Sequence, residues 1–188
     1  MKSFEDILDY LVLIKAPVQK YLCSGVAQSM IEKELAEINV FPDIQITSIY
    51  TKVNGTNIAN ERLDQYYFFP RYVLPSLEMS IKLYKEECLG DSLWNVGLFP
   101  LFWNGNRDYL LVDSTNGEKG VFYYSPNDVR FENVVKKYDS LDILFQTVLR
   151  CYKEGGYNLE SETNNLQYDG TKVMEISKEM NPTSEYWY

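Results

Sequence analysis

Histidine is absent from the 188 residues of this sequence. This absence excludes Ser-His-Asp and Cys-His nucleophile systems, because both use an imidazole as the general base. It also excludes histidine-containing zinc sites such as the H-E-x-x-H motif. An enzyme built on this sequence would have to transfer protons with carboxylates, lysine, tyrosine or cysteine. We assign no catalytic residues, and an enzyme that uses those groups stays an open alternative at this point.

Cysteine and glycine are also sparse. The three cysteines, Cys23, Cys88 and Cys151, lie far apart and form no C-x-x-C pair. Their spacing lacks the ligand pairs of a zinc knuckle or a redox motif, so reduced and buried thiols are the simplest interpretation, which favours the cytoplasm. The 10 glycines form no phosphate loop, dinucleotide fingerprint or nucleophile elbow. We expect neither a metal nor a cofactor.

Long basic runs and long apolar runs are missing as well. The longest basic run is Lys136–Lys137 and the net charge is −9, so we expect no direct binding to nucleic acid. An acidic protein favours a cationic partner, although the excess charge can also simply maintain solubility. The apolar run "YLVLI" is too short to span a membrane. The N-terminal stretch is acidic where a signal peptide would be basic, which again predicts the cytoplasm.

The apolar residues recur at helical spacing in several stretches. Predicted N-caps are Ser3, Ser76 and Ser140. A short third helix is expected to include Pro42 in its first turn and to end at Asn54-Gly55. The other helices are predicted near residues 4–15, 25–38, 77–87 and 141–152, with one further short helix in "KVMEISKEM".

Strands are predicted where aromatic and β-branched runs are bounded by turn residues. One is expected near residues 65–73, with Pro70 at an edge or bulge. The runs "NVGLFPLFW" and "DYLLVD" flank "NGNR" and predict a hairpin, and "VFYYS" predicts the next strand. This order predicts one α+β domain over residues 1–188, with an antiparallel sheet and helices packed on one side.

The C-terminal part of the chain is the most acidic. Residues 151–188 hold seven acidic and three basic side chains, which is −4 of the net −9. The chain ends on Tyr-Trp-Tyr, and a disordered tail rarely ends on three aromatic residues. We therefore predict that residues 153–188 form an extension that docks on the rest of the domain.

Two groups of residues suggest chemistry but have simpler interpretations. The loop Asp113–Glu118 is faintly similar to a calcium loop, but Asn and Gly fall one place early, so a hairpin turn is the better explanation. Asp108, Asp113 and Asp128 lie near predicted strand ends, where paired carboxylates could run a glycosidase. A sequence with 27 acidic residues supplies such triplets by chance. Trp103 is either an interface anchor or a residue packed over the sheet edge.

Four stretches together resemble one known family. "FPDIQITSIYTKVNG" is similar to its helix of Leu-Pro, a spaced apolar stripe and Asn-Gly, and "FFPRYVLPSLEMSIKLYKE" to its aromatic strand and following helix. "LFPLFWNGNRDYLLVD" resembles its hairpin, and "DSLDILFQTVL" its closing helix. The family is the SUKH superfamily, also described as the Smi/Knr-type cell-wall assembly regulator domain. The resemblance covers about residues 25–152.

The sequence departs from that family at two positions. Phe41 stands where the helix motif usually has Leu, and Arg107 stands where the hairpin has a Gly before Asp108. Because glycine is the default residue for a positive φ, an arginine here predicts a backbone that needs no positive φ.

The resemblance implies an α+β fold and a role without catalysis. Bacterial members are largely cytoplasmic immunity proteins that bind a cognate toxin domain, often a nuclease or deaminase, while other members are regulatory adaptors. An acidic protein suits a basic toxin cleft. We therefore expect a toxin-neutralising immunity protein, with an adaptor as the alternative and a carboxylate hydrolase third. The residues predicted to touch the partner are Trp103, Asn104, Arg107, Asp108 and Asp113.

Overall fold

The computed structural model describes residues 1–58, 63–91, 93–115, 119–160, 163 and 165–188. Six α-helices lie within these residues: α1 Lys2–Leu13, α2 Gln28–Glu37, α3 Ile44–Lys52, α4 Leu77–Leu83, α5 Leu141–Lys153 and α6 Gly170–Met180. The strands are β1 Leu22–Ser24, β2 Val53–Thr56, β3 Leu98–Trp103, β4 Tyr109–Asp113, β5 Val121–Tyr124, β6 Val135–Tyr138, β7 Tyr157–Leu159 and β8 Leu166–Tyr168. The predicted α+β class is confirmed.

The central sheet has four antiparallel strands in the order β3-β4-β5-β6. Strands β3 and β4 are apolar because they are covered on both faces. Phe102 of β3 meets Phe145 of α5 at 6.2 Å between ring centroids, whereas Tyr109 of β4 meets Trp94 at 4.9 Å. The predicted hairpin and the predicted strand that follows it are therefore both present, at the centre of the core.

Helices α1 and α5 pack together against this sheet. Phe4 of α1 lies 5.0 Å from Phe145 of α5, centroid to centroid. Ser140 caps α5 by accepting a hydrogen bond from the amide of Ile143, as the sequence predicts. Ser3 does not cap α1. It lies inside that helix, where its hydroxyl donates to Asp142 of α5 at 2.5 Å.

The segment predicted as a strand near 65–73 is mostly not a strand. Leu63–Tyr66 form a 3-10 turn, and the chain then reverses so that Phe69 and Tyr72 bridge each other. Pro70 and Arg71 form the reversal, with Arg71 at a φ of 73°. The prediction failed because the buried residues Phe68 and Phe69 belong to a chain reversal and do not form one face of an extended strand.

Asn54-Gly55 also has a different role from the predicted helix stop. Helix α3 ends at Lys52, and the two residues lie in strand β2. Gly55 has a φ of 65°, and a Cβ there would come within 2.2 Å of the Pro75 carbonyl oxygen. Glycine is required by this close approach of two backbones rather than by a helix cap.

The C-terminal residues return to the central sheet after α6. The backbone amide of Glu185 donates to the carbonyl of Lys136 in β6, at 3.1 Å. The indole N–H of Trp187 donates to the carbonyl of Lys137 at 2.8 Å. We call residues 181–188 the C-terminal strap. Within the part of the chain that the structure describes, no helix is both long and apolar enough to cross a membrane.

Candidate functional site

The loop that joins β3 to β4 is organised by one side chain. The side-chain Oδ1 of Asn104 accepts hydrogen bonds from the backbone N–H groups of Asn106 at 2.7 Å and Asp108 at 3.1 Å. Its amide group donates to the Asp108 carboxylate. Gly105 has a φ of 85°, which the turn requires. Asn104 therefore holds the loop and fixes the direction of Asp108.

Arg107 contradicts the prediction made from its replacement of glycine. Its φ is 61°, in the left-handed region, so this backbone position does have a positive φ. The guanidinium donates to Glu87 at 2.8 Å and to Asp91 at 3.2 Å. Glu87 is part of a π-helical segment, Tyr84–Gly90, which continues from α4. The prediction failed because long-range ion pairs hold an arginine in a conformation that its own backbone disfavours.

The ion pairs also set the charge state of this arginine. The hydrogen bond that Arg107 donates to Glu87 raises the pKa of Arg107 above its already high ordinary value, so the cation persists at all accessible pH values. Its side chain remains 44% exposed, against 17% for Glu87. The loop thus presents a partly exposed cation that is paired with the carboxylates of Glu87 and Asp91.

The predicted partner-binding residues do not all lie together. Asn104, Arg107 and Asp108 lie in the β3–β4 loop, which follows directly after Trp103, the last residue of β3, and we call these four residues the hairpin rim. Trp103 is half-buried, packs against the core, and exchanges two backbone hydrogen bonds with Val73. Asp113 lies at the opposite end of β4, about 17 Å away at about 3.4 Å per residue.

Asp113 has a local structural role there. Its carboxylate accepts hydrogen bonds from the amide and hydroxyl of Thr115, at 2.7 and 2.6 Å. The Asn116-Gly117 turn predicted next lies outside the described residues. No group of three or more carboxylates and cysteines within the described residues is arranged to hold a metal ion.

A cavity of about 180 Å³ opens beside the hairpin rim. Asn104 and Asp108 line one side of it, and Arg71 contributes a second charged group. Most of the remaining wall is aromatic and comes from distant parts of the chain. The aromatic wall includes the rings of Tyr72, Tyr123, Tyr138, Tyr157, Tyr186 and Trp187.

Lys137 of β6 lies at the wall of this cavity and is only 5% exposed. Its ammonium nitrogen lies 3.9 Å from the ring centroid of Tyr186, 4.8 Å from that of Tyr123 and 5.2 Å from that of Trp187. The ring of Tyr72 follows at 5.5 Å. All four distances fall within the range of a cation–π interaction. We call Lys137 and these four rings the lysine cage.

Burial and neighbouring charge act on the cage in opposite directions. Burial lowers the pKa of Lys137, and Tyr186 opposes that shift. Burial alone would raise the pKa of Tyr186, but the charges and hydrogen bonds of Lys137 and Arg130 outweigh it and lower the pKa. The C-terminal strap therefore supplies the rings of Tyr186 and Trp187 to this lysine, together with the polarised hydroxyl of Tyr186.

No sequence pattern predicts a role for Lys137, which stands out only as part of the longest basic run. A possible signal was its place in a strand, beside Tyr138, in a protein with 16 tyrosines. The rings that surround it are separated from it by up to 65 residues, so no local pattern identifies them.

The three carboxylates considered for hydrolysis are unequally placed. Burial raises the pKa of Tyr123, and Asp108 and Asp128 both contribute to this shift, so both lie near that ring. Arg130 donates to Asp128 at 2.7 Å and lowers the pKa of that carboxyl to about 2. Asp128 is thereby held ionised and is a poor general acid.

No family model matches the chain, and the search of curated proteins found no match. The resemblance to the SUKH superfamily therefore stays a prediction.

Proposed function

We propose that this protein binds a cognate toxin domain and neutralises it without catalysis, as the resemblance to SUKH immunity proteins implies. The observation that carries the proposal is the geometry of Arg107. An exposed arginine with a φ of 61° is held in place by Glu87 and Asp91. It stands at the tip of a hairpin whose two strands form the centre of the core.

Stability does not account for this arginine. A non-glycine residue in the left-handed region costs about 1–2 kcal/mol. Exposed ion pairs typically return at most about 1 kcal/mol. Glycine would adopt the same φ without that cost. A residue that is unfavourable for its own backbone, exposed and rigidly oriented fits recognition, and arginine is enriched among the residues that dominate binding interfaces.

The charge of the protein favours a basic partner. The net charge of −9 raises the rate of encounter with a positively charged surface. Nuclease and deaminase toxins act on an anionic substrate and need a basic cleft, which an acidic inhibitor can block. Arg107 would then give specificity within an acidic surface by pairing with a carboxylate of the partner.

We place this activity in the cytoplasm. The three cysteines are free, and two of them, Cys88 and Cys151, are buried. Burial raises the pKa of both thiols, which keeps them protonated and unreactive. Free, unreactive thiols fit a reducing compartment.

The cellular test is co-expression with the toxin encoded by the adjacent gene. Cells that carry both proteins are expected to grow, and cells that carry the toxin alone are expected to die. Loss of rescue in the presence of well-expressed, folded protein contradicts the proposal. If no toxin gene is adjacent and affinity purification recovers an endogenous complex, the adaptor role takes its place.

The residue test uses one substitution and a matched control. Arg107→Gly removes the charge but suits the backbone, so the fold is retained, and we expect the affinity for the toxin to fall at least tenfold. Lys15→Gly is the control, because Lys15 is also an exposed cation with a positive φ, of 53°, and follows α1 outside the hairpin rim. Equal affinities of the two variants for the toxin would show that Arg107 is not part of the interface.

The enzyme alternative is tested by Asp108→Asn and Asp113→Asn. If the protein is a carboxylate hydrolase, these changes abolish turnover and leave partner binding largely intact. The immunity proposal predicts instead that no turnover is found in the unchanged protein.

A further inference from the structure

The lysine cage presents a positive charge that the described part of the protein does not neutralise. Among the described residues, no carboxylate lies within 4.0 Å of the Lys137 ammonium, although six other lysine and arginine side chains have such a partner. Burying a charge costs several kcal/mol unless it is paired. Cation–π contacts recover about 2 kcal/mol when desolvated. The four rings therefore hold the ammonium group but leave its charge available.

The cavity next to this ammonium is large enough for a small ligand. Its volume is about 180 Å³. A buried cavity of about 150 Å³ is large enough to bind benzene. Tyr168 and Arg71, both exposed, are among its lining residues. Arg71 adds a second positive charge to the lining.

We propose that the cavity binds a small carboxylate with a planar, apolar body, whose carboxylate pairs with Lys137 and whose body packs on the surrounding aromatic rings. This site goes beyond toxin binding and does not depend on it. The ring of Tyr138 and the ring of Tyr157 provide apolar surface on the wall. Burial raises the pKa of both hydroxyls, so they stay neutral and do not repel an anion.

The charges on the wall favour one negative charge over two. Among the described residues, Lys137 is the one lysine or arginine that is buried, and the Asp108 carboxylate also lines the cavity. Asp108 repels an anion in proportion to its charge, so a phosphate dianion is disfavoured more than a carboxylate. A carboxylate carries a single charge and matches a single lysine. The site therefore selects against phosphate esters of the same size.

The direct test is isothermal titration of the whole protein with benzoate. Benzamide has the same shape without charge, benzylamine has the opposite charge, and phenyl phosphate carries two negative charges. We expect benzoate to bind and each of the other three to bind at least tenfold more weakly. Benzoate that does not bind at millimolar concentration, or that binds no better than benzamide, overturns the proposal.

Two substitutions assign the charge to one lysine. Lys137→Met keeps the length of the side chain and should lower the benzoate affinity at least tenfold. Lys136→Met is the matched control in the same strand and should leave the affinity within about twofold, because Lys136 does not line the cavity. If Lys137→Met does not fold, Lys137→Arg replaces it and must retain benzoate binding. Unchanged affinity of Lys137→Met, or loss of affinity in Lys137→Arg, contradicts the proposal.

A second set of titrations distinguishes a small-molecule ligand from the C-terminal carboxylate of a peptide chain. Acetyl-Ala-Phe with a free carboxylate and acetyl-Ala-Phe amide are titrated beside benzoate. Binding of benzoate but not of the peptide acid identifies a small-molecule ligand. Tighter binding of the peptide acid than of benzoate, with no binding of the amide, identifies a chain terminus. Equal binding of the peptide acid and its amide contradicts a carboxylate site.

Discussion

Two cations beside the same hairpin are stabilised in opposite ways. Arg107 stands in solvent and is held by two carboxylates, at 2.8 and 3.2 Å. Lys137 is buried and is surrounded by four aromatic rings. In the first case water screens the charge, so the ion pairs orient the side chain more than they stabilise the fold. In the second case the protein itself replaces water, so the contacts matter for stability.

The comparison also separates two kinds of function. The guanidinium of Arg107 is exposed on the hairpin rim, where a flat partner surface can reach it. The ammonium of Lys137 is reached only through the cavity, where a small ligand fits. The same loop contributes to both, because Asn104 and Asp108 line the cavity while Arg107 does not.

The largest expected effect comes from reversing the buried charge. Lys137→Glu places a carboxylate against the negative faces of four rings, so we expect a loss of about 3–5 kcal/mol in the free energy of unfolding. Urea titration followed by circular dichroism measures it. The matched variant Lys136→Glu should cost less than about 1 kcal/mol. Similar losses for both variants would show that the ring contacts do not set the two lysines apart.

Removing one wall of the cage should have the next largest effect. Trp187→Ala removes a ring 5.2 Å from the ammonium and the hydrogen bond to the Lys137 carbonyl. We expect a loss of about 2 kcal/mol in unfolding free energy, because this indole is only partly buried. Tyr188→Ala is the matched control, since its ring is 75% exposed, and should stay within about 0.5 kcal/mol. A larger effect at Tyr188 would contradict a strap anchored by Trp187.

A third prediction concerns the carboxylate beside the cage. The pKa of Asp128 is about 2 in the folded protein, below its ordinary value of 3.8, chiefly because of the hydrogen bond from Arg130. A lowered folded pKa stabilises the protein above the unfolded pKa, and this contribution is lost as the pH falls from about 4 to about 2. Because Arg130 is 57% exposed, we expect about 1 kcal/mol after solvent screening.

The test compares the unfolding free energies of the original protein and Asp128→Asn at pH 7 and at pH 2. The difference between the two proteins should shrink by about 1 kcal/mol at the lower pH. A constant difference across this range would mean that the ion pair does not contribute.

The smallest effect is expected at Arg107. Arg107→Ala keeps a Cβ at a positive φ and loses both ion pairs, whereas Arg107→Gly loses the ion pairs but relieves the backbone. Glycine should therefore be more stable than alanine here by about 1 kcal/mol, measured by thermal unfolding. Equal stabilities would indicate that the loop relaxes and that the left-handed conformation is not enforced.

Much of the fold could be predicted from local patterns. Helix α5 was located to within one residue, because its apolar spacing and its Ser140 cap both act within a few residues. The hairpin of β3 and β4 was predicted from two apolar runs around a glycine turn. The pattern does not predict the short strands β1, β2, β6, β7 and β8, since three or four residues are too few to show an alternating pattern.

The candidate site was predicted only in part. Four of the five proposed partner residues lie at one end of the β3–β4 hairpin, because they are neighbours in the sequence. Asp113 was grouped with them by sequence distance, and the extended strand between them carries it about 17 Å away. The lysine cage was missed entirely, because its rings come from the 69–72 turn, β5 and the C-terminal strap.

The sequence by itself determined the α+β class, the hairpin and the acidic charge of this protein. These properties follow from composition and from interactions between near neighbours in the chain. Hydrophobic periodicity and turn residues make such local interactions visible in the sequence. Only the tertiary structure decided that "NGNRD" carries an arginine with a positive φ and that Lys137 is buried among four rings. Both outcomes depend on contacts between distant segments, which outweigh the local preferences of a backbone for a negative φ and of a lysine for water.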